Sequence, residues 1–221
     1  MSSPKPDRGT RAPATGGVRR TGRGGGRGRI LAAANELFGG RGYSDVSMRD
    51  VSEAAGVTKA ALYYHFSDKA GLFTTVALHR INEIREAMES AARSGSLEER
   101  LLRMATIGYE RMQSDVYAPH LMAHEHLDSE HHQQLHEAMD RLQEPVIRCF
   151  EEAGPRDPAL SPRAASELLA GILFSLIFAP EAGEAGRSPL PTDQTDRALL
   201  AIRLFLRGYW SLASGDESPL A

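Results

Sequence analysis

The chain has 221 residues, of which 41% are apolar and 25% charged, with a single cysteine. This supports one or two domains with an ordinary core and excludes an internal disulfide framework; no apolar run reaches the roughly 18 residues that a membrane span needs. The formal net charge of −3 is unevenly divided, with +7 on residues 1–29, −1 on 30–73 and −9 on 74–221.

Residues 1–26 are rich in Gly, Pro, Ser, Thr and Arg and nearly free of large apolar side chains, so they cannot build a core and are expected to form a disordered basic arm. Its TGRGGGRGR stretch has glycines in number, yet no strand precedes it and no Gly-Lys-Ser/Thr ends it, so a nucleotide cradle is not expected. Arginines on a flexible backbone suit DNA phosphates or a minor groove, with RNA binding and plain solubility as competing readings.

From Arg27 to Gly39 the apolar residues Ile30, Leu31, Ala34, Leu37 and Phe38 keep helical spacing, and Gly39, Gly40 and Gly42 end that helix. Ser47 can cap a second helix through a capping box with Asp50, and Val51 and Ala55 mark its inner face. Gly56 stops this helix in a left-handed turn, and Thr58 caps the next, Lys59 to His65. Isolated helices need roughly 12 residues in water, so this one must be pinned by Leu62 and Phe66. Lys59, Ala60, Tyr63 and Tyr64 are then left outward, since two adjacent aromatics cannot both face one core. Ala60 admits close approach to a major groove and contact with a thymine methyl. Lys59 can donate to guanine or phosphate, and Thr58, Tyr63, Tyr64 and His65 to phosphate oxygens. A further helix starts near Ser67 and Asp68 with Lys69 in its first turn.

The whole segment ILAAANELFGGRGYSDVSMRDVSEAAGVTKAALYYHFSDKAGLF, Ile30 to Phe73, resembles the DNA-binding domain of the TetR family of bacterial regulators, most specifically in LYYHF followed by a lysine. The resemblance implies an all-α protein whose helix-turn-helix head occupies residues 27–73 and whose residues 74–221 form a helical effector-binding and dimerisation domain. It places Thr58, Lys59, Ala60, Tyr63 and Tyr64 on the recognition helix and Ser47, Tyr64, His65 and Lys69 against phosphates, with Tyr43 packing in the loop before them. Ala60 stands where many members have glycine.

Beyond the head, Phe73, Val76, Ala77, Ile81, Ile84 and Met88 continue one helix to about Arg93, the element that carries ligand-driven movement to the head in TetR-like proteins. Ser96 caps a helix from Leu97 to Gln113, Pro119 marks a break, and Leu121 to Leu127 reads as a short helix. Ser129 is expected to cap a helix running to Glu152 with a kink at Pro145. Ser161-Pro162 opens another helix, and Thr192 is expected to cap the last, from about Asp193 to Ala213. No segment reads as a strand. The final two helices are apolar around more of their girth than one buried face requires, which fits a twofold four-helix bundle through Leu168, Gly171, Ile172, Phe174, Ser175, Phe178, Ile202, Phe205 and Trp210.

Methionines and aromatics gather in the middle of the chain. Met88, Met104, Tyr109, Met112, Tyr117, Met122, His124 and Phe150 are candidate walls of a pocket for an apolar or aromatic effector, although a Met stripe at helical spacing also serves as ordinary core. His120/His124 and His132/His136 have the i, i+4 spacing that can chelate a metal, but each pair lacks further ligands in sequence, so no metal or other cofactor is expected. Cys149 sits in an apolar helical run and reads as a core thiol. No nucleophile with a base and no carboxylate pair suggests catalysis. The expected molecule is a cytoplasmic, homodimeric, ligand-responsive regulator, most simply a repressor, on a pseudo-palindromic double-stranded DNA operator. The alternatives are a metal sensor using the histidines and an effector-independent activator or architectural DNA protein.

Overall fold

The computed structural model describes residues 25–113, 127–154, 160–177 and 193–214. The basic arm up to residue 24, the Pro119 break, the helix expected from Leu121 and the Thr192 cap lie outside these residues. Every regular element among the described residues is an α-helix: α1 (Gly26–Arg41), α2 (Met48–Ala55), α3 (Lys59–His65), α4 (Lys69–Ala91), α5 (Leu97–Gln113), α6 (Ser129–Leu142), α7 (Glu144–Ala153), α8 (Pro162–Ile177) and α9 (Gln194–Ser214). None is long and apolar enough to cross a membrane.

Helix starts follow side-chain oxygens that accept from orphan backbone N–H groups. Ser47 and Asp50 close a reciprocal box on α2, in which the Ser47 N–H donates to Asp50 Oδ2 at 2.8 Å and the Asp50 N–H to Ser47 Oγ at 3.2 Å. Ser96 and Glu99 build the same arrangement on α5. Further starts are set by aspartates. Asp68 caps α4 where a helix start is expected, its Oδ1 accepting from Gly71 N–H at 2.8 Å. Asp128 rather than Ser129 caps α6, accepting from His131 N–H at 2.9 Å. Asp193 begins α9, accepting from the Thr195 and Asp196 N–H groups. At the start of α6 aspartate outranks the adjacent serine because its ionised carboxylate also interacts favourably with the positive end of the helix. The single kinked helix expected over Ser129–Glu152 is two helices joined at Gln143, with Pro145 in the first turn of α7. Proline costs least there, since its missing N–H would have had no partner inside the helix.

Two apolar cores are strung along α4. The first unites Ile30, Ala34, Phe38, Val51, Leu62 and Phe66 of the head with Leu72, Phe73, Val76, Ala77 and Ile81 of α4 and Leu135 of α6. In it Phe73 meets Phe38 and Tyr43 edge-on, at 5.1 and 5.0 Å between ring centroids, which fixes the loop after α1 to the start of α4. The second core unites Ile84 and Met88 of α4 with Leu101, Met104, Cys149, Phe150, Leu169, Ile202, Leu206 and Tyr209. Helix α6 packs along α4 more extensively than any other helix does, and Leu142 at its end touches both cores. A shift of α4 is therefore felt at once by the head and by the second core.

Candidate nucleic-acid interface and effector cavity

Helix α3 presents a face shaped by its brevity. Leu62 is fully buried and Phe66 nearly so, which turns Lys59, Ala60, Tyr63, Tyr64 and His65 to solvent. Tyr64 is 86% exposed and Tyr63 43%. Exposure of that degree leaves apolar ring area in water, which is unfavourable unless another surface covers it. The turn before α3 is set by Gly56 at φ 61°, ψ 41°, a left-handed conformation that suits glycine. Thr58 Oγ1 then accepts from Ala61 N–H at 3.1 Å.

Beside α3 lies a groove of about 470 Å³ between the Ser44–Arg49 segment and Lys59, Tyr63 and Lys69. Lys59 Nζ sits 5.8 Å from the Tyr63 ring centroid and Lys69 Nζ 4.2 Å from that of Tyr43. Lys69 also donates to the Ser44 carbonyl at 3.4 Å, and burial lowers its pKa against the opposing pull of Asp45. Burial chiefly, and Asp68 secondarily, push the Tyr43 hydroxyl above its usual range, so at neutral pH it is protonated and can donate. Cations and hydroxyl donors in one concavity suit a phosphate. Arg49, in the first turn of α2 and held by Glu53 at 2.7 Å, joins this groove and was missed in the sequence; its exposed place beside the Ser47 cap is the signal that marks it.

The expected effector residues divide. Met88, Met104 and Tyr109 line a cavity of about 420 Å³ in the second core, together with Ile84, Leu101, Met139, Leu169 and Leu173. Phe150 is not in its wall: it is fully buried behind, 5.8 Å from Phe205 and 5.3 Å from Tyr209 between ring centroids. The Met112 side chain, Tyr117, Met122 and His124 lie outside the described residues. Gln143 and Ser166 also line the cavity, and no periodicity singles them out in the sequence. Cys149 is buried, and burial raises its thiol pKa, as expected for a core residue.

The expected interface residues divide as well. Leu168, Gly171, Ile172, Phe174 and Ser175 are exposed on α8, beside Leu200 and Leu204 on α9. Ile202 instead faces inward and is fully buried, while Phe205 and Trp210 are half-buried against the second core; these three pack within one subunit. Phe178 lies outside the described residues. Among the histidines, His120 and His124 lie outside them too, while His132 is half-buried and His136 exposed on α6. No group of three or more metal-capable side chains occurs among the described residues. His131, absent from the metal reading, places Nδ1 2.7 Å from the Asp128 cap.

Residues 30–76 match the family model for bacterial regulatory proteins of the tetR family. Those residues form a TetR-family DNA-binding domain. The chain is 36% identical over 79 residues to the HTH-type transcriptional activator FasR of Mycolicibacterium smegmatis, covering 36% of each protein. The chain thus spans about a third of that curated relative's length. Among solved structures it resembles a TetR-family regulator from Mesorhizobium loti, at 23% identity and TM-score 0.66, covering 83% of this chain and 96% of that one. It also resembles FadR of Bacillus subtilis in complex with stearoyl-CoA, at 17% identity and TM-score 0.63, covering 82% and 98%. At these identities the structures establish the shared fold. Residues 30–76 are thus a helix-turn-helix head of the kind found in TetR-family regulators, a family of transcription regulators rather than enzymes.

Proposed function

We propose that the chain is a homodimeric repressor whose head, residues 27–73, grips a pseudo-palindromic operator and is released when an apolar small molecule enters the cavity formed by residues 74–221. The observation that carries this reading is the position of the cavity: Ile84 and Met88 of α4 form part of its wall, while the other end of α4 is built into the core of the head. An occupant therefore presses on the helix that carries the recognition surface. FadR of Bacillus subtilis, with the same fold, was solved with stearoyl-CoA, which supports a ligand role for an apolar cavity here. The exposed apolar face of α8 and α9 supports the dimer. Repression is the simplest sign, because it requires only that the operator be occupied.

Selection of bound duplexes from a random pool tests this reading. An inverted repeat with half-site centres about one helical turn apart is expected; a single unrepeated site, or no sequence preference, would contradict it. On the selected operator, Lys59→Ala should cost about 1–3 kcal/mol and relax specificity at one position if Lys59 meets a base edge. Equal losses on operator and random DNA would make Lys59 a phosphate contact instead. Removal of residues 1–26 takes away 6 Lys+Arg and should reduce both affinity and the slope of log K against log salt. An unchanged slope would show that the arm does not touch DNA.

A further inference from the structure

The effector cavity contains one polar pair, and we infer that this pair selects the ligand class: a mainly apolar molecule carrying a group that is uncharged where it meets Gln143 and Ser166. The inference rests on the cavity being the ligand site. Both side chains line it, and the buried Ser166 donates its Oγ hydrogen to Gln143 Oε1 at 3.3 Å. That is long for a hydroxyl hydrogen bond, so a ligand group can replace it at small cost. One end of the Gln143 amide is engaged by Ser166, and the other makes no hydrogen bond among the described residues. The pair can therefore offer a ligand both a donor and an acceptor.

The rest of the described wall offers no counter-charge. Met88, Met104, Leu169 and most of their neighbours are apolar, the Tyr109 hydroxyl is neutral in kind with the Gln143 and Ser166 groups, and no described Asp, Glu, Lys, Arg or His lines the cavity. A carboxylate or ammonium entering the cavity would lose its water without gaining a counter-charge. An amide, ester, thioester or alcohol loses less on desolvation and recovers it from the amide and hydroxyl.

The location of the pair also links recognition to release. Gln143 is the joint between α6 and α7, whereas Ser166 belongs to α8. A ligand group inserted between them parts α8 from that joint, and α6 runs from it along α4 towards the head. Only a ligand that binds the parted arrangement better can shift the equilibrium, so the group that meets this pair is the one that confers differential affinity.

Calorimetric titration of the full chain with decanamide, decanoate and decylammonium at pH 8 tests the inference. Decanamide is expected to bind at least tenfold more tightly than decanoate, and Gln143→Leu to remove most of that preference. Gln143→Glu, nearly the same in shape, should bring decylammonium above decanamide. Melting of each variant without ligand verifies folding, and Ser166→Ala, which deletes only a hydroxyl, should reproduce a weaker decanamide affinity if Gln143→Leu does not fold. Decanoate binding as tightly as decanamide, with neither affected at Gln143 or Ser166, would overturn the inference while leaving the cavity as a ligand site. Failure of all three molecules to bind either wild type or Gln143→Glu would overturn both.

Discussion

Gly171→Glu is expected to leave the chain folded but monomeric and to weaken operator binding by roughly 10²–10⁴-fold, the gain that linking two half-site modules provides. Gly171 is exposed on α8, and a Cβ built there meets nothing within 4 Å inside the subunit, so the new side chain does not disturb the core. Across the proposed twofold bundle it would sit among Leu168 and Ile172 of α8 and Leu200 and Leu204 of α9, a face that is apolar and exposed in the single chain. Dimerisation would then bury one uncompensated carboxylate from each subunit, at a cost of several kcal/mol per ion. A monomer retains one recognition helix and keeps only the affinity of a single half-site. Size-exclusion chromatography with light scattering, run beside operator titration, reads both effects. A Gly171→Glu protein that is dimeric and binds normally would refute this interface.

Met88→Trp acts at the other end of the chain of contacts. Met88 is 8% exposed, packs in the second core and forms part of the cavity wall on α4. An indole in its place fills space that a ligand would otherwise enter and pushes α4 away from α5 and α8. It should weaken operator binding by about 5–150-fold, the span that corresponds to coupling energies of about 1–3 kcal/mol, without dissociating the dimer. If the indole plugs the cavity without displacing α4, DNA affinity will persist and the response to ligand will vanish. Operator titration with and without decanamide distinguishes the two, and wild-type behaviour in both assays would count against the role assigned to α4.

The head is legible in the sequence because each of its features is local. Ser47 with Asp50, Gly56, and Thr58 act within four residues of chain, and the short α3 can be stable only if Leu62 and Phe66 point inward, which dictates the outward residues. Farther along, local logic selected the wrong cap where an aspartate stood beside a serine, at Asp128. Pro145 shows the same limit. A proline in an apolar run reads as a kink, but whether the chain bends or restarts depends on packing around Gln143. The apolar excess of the last two helices is visible, yet which side meets a partner is not. Ile202 and Leu204 differ by two positions and face opposite ways, one buried in its own subunit and one 60% exposed. Gln143 and Ser166, 23 residues apart, become a pair only when α8 folds against the α6–α7 joint.

The central claim is that occupancy of the cavity changes the separation of the two recognition helices. Electron–electron distance measurement tests it directly, with spin labels at Ala54→Cys, an exposed position on α2 of the head. Cys149 is buried and its thiol pKa is raised, so labelling is directed to position 54. Filling the cavity, by Met88→Trp or by saturating decanamide, should move the mean distance between the two labels by a few ångströms, with operator affinity falling in the same samples. Superimposable distance distributions in the empty, decanamide-bound and Met88→Trp dimers, accompanied by loss of operator binding, would contradict it.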